Sequence, residues 1–139
     1  MFAIMSSIIV GCGSLKDKQI SVDITEKYWK LIELNSKKIE WRDSSNKEPH
    51  IILKAENNVI GHGSCNNFQG KYELQEGNHI IFFQVVTTLM ACIDMEIENQ
   101  FFTILSQVDT YSISANGKYF SFIDAKKKSL ARFEVVYLR

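Results

Sequence analysis

The sequence predicts a mostly β fold: an antiparallel sheet that curls and closes on itself, with one amphipathic helix packed on it. Three observations carry this expectation. Short runs of alternating apolar and polar residues recur along the chain and are separated by turn-forming residues. One window alone changes to helical period. The chain also has 139 residues, 45% of them hydrophobic, which is the size of one domain around one core. Consecutive antiparallel strands with tight turns favour closure, because closure removes exposed sheet edges.

The elements follow in order. YWKLIEL, from Tyr28 to Leu34, alternates so that Trp29 and Leu31 share one face and Lys30 and Ile32 the other. DSSNKE, from Asp43 to Glu48, is a polar loop, and Trp41 before it either covers a barrel mouth or lies on the surface. HIILKA then leads to a turn at Glu56-Asn57-Asn58 and returns as VIGHG, a hairpin by its turn chemistry. KYEL and HIIFFQVV flank a second turn at Glu76-Gly77-Asn78. After Asp94, placed as N-cap, Ile97, Phe101, Ile104, Leu105 and Val108 recur at helical spacing, which predicts a helix over residues 95–108. Glu96 and Glu98 fall in its first turn, where the positive end of the helix dipole favours carboxylates. TYSISA turns at Asn116-Gly117, the strongest local hairpin signal in the chain, into KYFSFID. A lysine-rich turn then leads to SLARFEVVYL.

Residues 1–11 read as a lipoprotein signal peptide, 12–25 as a tether and 26–139 as the folded domain. Phe2 to Val10 is almost wholly apolar, too short to span a bilayer, and ends in small residues. Ile9-Val10-Gly11-Cys12 resembles a bacterial lipobox, in which the thiol of Cys12 receives the lipid; several acyl chains on one residue give durable attachment. No Lys or Arg precedes the apolar run, and the alternative is a buried strand ending in a core cysteine. The lipobox leads to the expectation of a membrane-anchored lipoprotein of the bacterial cell envelope, with the outer membrane preferred to the inner one.

With Cys12 lipidated, Cys65 and Cys92 remain as an even pair in an oxidising compartment. They read first as a disulfide, which would restrict the unfolded chain by about 3–4 kcal/mol. Two buried free thiols are one alternative. Zinc held by His62, Cys65 and Cys92 is another, although a structural zinc site wants a fourth ligand and none is evident.

Charge and motif narrow the function. Sixteen basic residues balance sixteen acidic ones, so the excess of cations that a nucleic-acid binder needs is missing. Lys126, Lys127 and Lys128 form a solvated turn. GHGSCNNFQG, from Gly61 to Gly70, could cradle a phosphate only if a helix followed it, and KYEL is a strand. Gly61, Gly63 and Gly70 read instead as structural positions, where a missing Cβ permits positive φ or close approach of strands. Asn66 and Asn67 tie the turn through side-chain bonds to backbone. As a nucleophile Cys65 would need a base, and His62 stands at an odd separation, with no orienting third group. His50 and His79 begin strands as exposed or half-buried residues. No catalytic residue, cofactor site or metal site follows from these patterns.

Five motifs in order resemble the META domain family, the family of the HslJ-like heat-shock lipoproteins: YWKLIEL, EPHIILK, GHGSCNNFQGKYEL, TTLMAC before the helix, and LARFEVVYL at the close. The resemblance spans about 115 residues. Ser64 stands where many relatives carry a second glycine, and Ile93 where a proline is frequent. The resemblance implies an antiparallel, lipocalin-like, partly closed barrel with one amphipathic helix packed on it, export or lipid anchoring, and a link to heat or antibiotic stress, with no shared catalytic activity. The expectation is a non-enzymatic, monomeric envelope lipoprotein that acts in stress protection through protein or surface contacts with an unidentified partner. Two alternatives stand beside it: a binder that holds a small apolar molecule in the barrel, in a pocket lined by Phe82, Phe120 and Phe122, and a thiol-dependent enzyme.

Overall fold

The computed structural model describes residues 22–40 and 47–137, with Gly11 and Gly13. Cys12, with Ile9 and Val10 of its lipobox, and Trp41 lie outside the described residues. In chain order the elements are β1 (Tyr28–Leu34), β2 (Lys37–Lys38), β3 (His50–Leu53), β4 (Asn58–His62), β5 (Asn67–Gln75), β6 (His79–Thr87), α1 (Glu96–Gln107), β7 (Thr110–Ile113), β8 (Tyr119–Ile123) and β9 (Ser129–Val136).

All strand pairs within the sheet are antiparallel, and β1 pairs with β9, so the sheet returns on itself as a ring. The other side of β1 carries β3 and then the two-residue β2. Alternation dictates which side chains face inward: Trp29 and Leu31 do, and a bulge between Leu31 and Glu33 turns Leu34 inward as well. The ring is weakest between β6 and β7, which pair only at His79↔Thr110. Beside this seam α1 packs on the sheet and buries Glu98, Phe101, Ile104 and Leu105.

The helix starts one residue later than its spacing suggests. Met95 occupies the N-cap position at φ −110° and ψ 3°, and no side chain caps there. Asp94 still contributes, since its Oδ1 accepts the Glu96 N–H at 3.0 Å. The turns follow their chemistry: Asn57, Gly77, Asn78, Gly117 and Lys127 all adopt positive φ. The packed domain begins before Glu26, because Ile24 is buried and its carbonyl accepts the Trp29 indole N–H at 3.0 Å.

The interior is filled by aromatic rings. Trp29, Phe101, Phe120, Phe122 and Phe133 are fully buried, and Phe120 meets Trp29 and Phe122 at centroid separations of 5.1 Å each. Phe122 meets Phe133 at 5.0 Å and Phe82 at 5.5 Å. Phe82, Phe120 and Phe122, the expected pocket lining, pack on one another within or against the core. Each ring removes a large apolar area from water, which outweighs what an empty ligand cavity would contribute.

Candidate functional site

The glycine-rich loop after β4 is the most elaborately bonded place among the described residues. Cys65 and Cys92 form a disulfide, with Cα atoms 6.0 Å apart. The bond joins the start of β5 to the segment between β6 and α1, and both thiols needed for the zinc or nucleophile alternatives are consumed in it. The adjacent Asn66 is buried, and all four of its side-chain hydrogen-bonding positions are used. Oδ1 accepts from Thr88 Oγ1 at 2.8 Å and from the Met90 N–H at 2.7 Å. Nδ2 donates to the Met90 carbonyl at 3.0 Å and to Glu98 Oε2 at 2.7 Å. Asn66 thus bridges distant segments, where its sequence position suggests a tie within its own turn.

Glu98 completes the arrangement from the first turn of α1. It is 1% exposed, and its Oε1 accepts the backbone N–H groups of Cys65 at 3.1 Å and Asn66 at 2.5 Å. Two successive N–H groups converging on one carboxylate make a small anion nest, here occupied by the chain's own side chain. Charge-assisted bonds of this kind offset the cost of burying the carboxylate. Its place in the first turn points only to the helix dipole. Its spacing of three from Phe101 and seven from Leu105 puts it on the buried face, and that is the signal the sequence offers.

The three glycines act through close approach, since none of them has positive φ. A Cβ on Gly63 would lie 2.6 Å from Glu98 Oε1 and 2.7 Å from the Phe102 ring. On Gly61 it would collide with the His50 carbonyl and the Phe68 ring, and on Gly70 it would lie 2.9 Å from Val85 Cα. The residue that does need glycine-like freedom is Ser64, at φ 119°. Its hydroxyl is buried without a hydrogen-bond partner among the described residues. Ser64 thus carries both backbone strain and an unsatisfied polar atom.

A column of rings borders the loop. Tyr28 stacks on His50 at 4.2 Å, and His50 lies parallel to His62 at 6.4 Å. The Ser64 N–H donates to His62 Nδ1 at 3.1 Å, which leaves the imidazole proton on Nε2. Burial holds the His62 imidazole below its ordinary range; His50 and Lys47 push it in the same direction, and Glu98 opposes them. His62 therefore supports the loop backbone through the Ser64 N–H, and the sulfur of Cys65 is held in the disulfide.

The network holds an apolar tip in place. Between Thr88, gripped by Asn66, and Cys92, gripped by Cys65, Leu89 is 95% exposed and Met90 58%; the next residue, Ile93, is 99% exposed. A segment fixed by hydrogen bonds and a covalent bond thus displays large aliphatic side chains to water.

Known structures share this architecture. The NMR structure of a protein from Burkholderia xenovorans superposes with a TM-score of 0.66 at 17% identity, over 83% of this chain and 85% of that one. A second NMR structure matches at TM-score 0.60 and 18% identity, over 80% and 91% of the two chains. The crystal structure of a DUF4847 family protein from Bacteroides vulgatus matches at 0.56 and 11%, over 80% and 93%. At such identities the likeness is one of fold. A search of curated proteins finds no match. The META domain family model, however, matches residues 22–137, which takes in every strand and the helix described above, and the chain belongs to the META domain family.

Proposed function

We propose that this META domain is a non-enzymatic, lipid-anchored cell-envelope protein that works in stress protection through contacts with another protein. The observation that supports contact over ligand storage is the pairing of a ring-filled barrel with a rigid, exposed aliphatic tip at Leu89, Met90 and Ile93. A barrel packed with Trp29, Phe120, Phe122 and Phe133 offers a small apolar molecule no room without displacing core rings. The lipobox ending in Cys12 supports anchoring, and family membership supports the stress setting.

The test joins localisation to contact. Cys12→Ala releases the chain into the soluble fraction, and mass spectrometry of the wild type finds the acylated N-terminal peptide. Co-purification from intact envelopes then recovers one reproducible partner, whose recovery drops on Leu89→Asp with Ile93→Asp. Membrane retention of Cys12→Ala would defeat the anchor. Full recovery of the partner by the double Asp variant would defeat the tip as the contact.

A further inference from the structure

The outer face of β3 to β6 sets large apolar side chains among the polar ones ordinary for a water-facing sheet. Ile52 pairs with Ile60, Ile60 with Gln69, and Gln69 with Val86, so the four make one cross-strand row. Phe83 stands nearby on the same face, opposite Lys71. Ile60, Phe83 and Val86 are 41%, 40% and 58% exposed. Gln84, at φ 52°, supplies the extra residue that keeps Phe83 and Val86 on a common face.

Three clefts lie along this face, of about 530, 310 and 540 Å³. The first two share Ile60, Gln69 and Val86, and the last two share Asn58 and Lys71, so together they form one groove. The groove follows the bend made by the β6 bulge between Phe83 and Val86, opposite Gln69 and Lys71.

We propose that this groove binds an extended, uncharged polypeptide segment of a partner protein. The proposal rests on the contact-making reading above and names the chemistry of the partner. Along β5 from Asn67 to Glu73 the groove runs about 20 Å at ~3.3 Å per residue, the length of six or seven extended residues. A small molecule seeks a site that encloses most of its surface, and these clefts are open troughs. An anionic bilayer is recruited by a cluster of cations. Here Lys71 has Glu56 and Glu73 beside it in the same cleft. What the groove does offer is apolar patches from Ile60, Val86 and Phe83, interleaved with the amides of Asn58, Asn67 and Gln69. An extended peptide has the complementary alternation: a side chain toward the groove at every second residue, with backbone N–H and C=O groups between.

The test uses the full chain held in phosphatidylcholine nanodiscs, titrated with the fluorescein-labelled peptide Val-Thr-Val-Asn-Val-Thr-Val and read by anisotropy. Saturable binding is expected. It weakens at least tenfold with Ile60→Asp and with Val86→Asp, and stays within twofold of wild type with Ile93→Asp, which lies on the tip. Thermal melting accompanies each variant, and Ile60→Thr with Val86→Thr, which keep the β-branched shape, serve if an Asp variant unfolds. Absence of saturable binding overturns the proposal, as does binding untouched by either groove substitution. Displacement of the peptide by phosphatidylglycerol vesicles also overturns it, by making the occupant a membrane surface. If the envelope partner is still lost from the tip variants while the groove variants bind normally, the groove falls and the contact reading stands.

Discussion

Asn66→Asp is the sharpest probe of the loop, because it changes one group while keeping the shape. A second carboxyl oxygen would replace the amide Nδ2, which now lies 2.7 Å from Glu98 Oε2 and 3.0 Å from the Met90 carbonyl. Two donated hydrogen bonds become repulsions between lone pairs, and at neutral pH two buried carboxylates face each other. Losing the bond to a charged group costs about 1.5–3 kcal/mol, and an uncompensated buried charge raises the total to roughly 3–5 kcal/mol. For a domain of this size that is a fall in Tm of about 10–15 °C. The remaining oxygen still accepts from Thr88 and Met90, so the fold survives. Protonation restores a donor. The introduced carboxyl, set beside Glu98, takes up its proton more readily folded than unfolded. Its contribution is therefore present below the unfolded carboxyl value of about 3.9 and is lost as pH rises through the higher folded one. The Tm deficit relative to wild type accordingly narrows as pH falls from 7.5 toward 4.5. Circular dichroism melting of Asn66→Asp and of Asn67→Asp, an exposed neighbour, reads the effect. Equal losses at the two positions, or a deficit independent of pH, would refute the role given to the Asn66–Glu98 contact.

Further outcomes are expected around the same loop. Ser64→Gly raises stability by about 1–2 kcal/mol in denaturant titration, since relief of strain and of a buried unsatisfied hydroxyl exceeds the entropy cost of glycine. Cys65→Ser and Cys92→Ser each lower stability under oxidising conditions by about 3–4 kcal/mol, and the double variant is no worse than either; additive losses in melting experiments would rule out a shared bond. His62, held below its ordinary value of about 6.5, is protonated more readily when unfolded, so its contribution is complete above that value and shrinks as pH falls toward the folded one. His62→Gln, which can still accept the Ser64 N–H, removes that slope from a plot of stability against pH between 7.5 and 5.

Much of this architecture is legible in local pattern. Trp29 and Leu31 alternate as a half-buried strand must, Asn116-Gly117 makes the hairpin, and Phe101, Ile104 and Leu105 mark the buried face of α1. Cys65 and Cys92 also meet, as the first reading of the pair expects. Less visible is whatever depends on segments far apart in sequence. Asn66 resembles any turn asparagine until Thr88 and Met90 arrive beside it, and Glu98 resembles any first-turn carboxylate until the loop covers it. Phe82, Phe120 and Phe122 suggest a pocket because composition distinguishes poorly between a lined cavity and a filled one; the difference is a matter of packing volume. HIIFFQVV hides its outward face because Ile80 and Phe82 face in while Ile81 and Phe83 face out, and both sets are apolar.

The pairing of β1 with β9 has a consequence for how the molecule comes into being. The first and the last of the described strands are neighbours, so the ring cannot shut before β9 has been made. The closing zipper can engage only once β9 is free to reach β1. The same adjacency brings Tyr28 alongside Val136, so a short linker could join those ends and a cut at Asn116-Gly117 could open new ones without rerouting any strand.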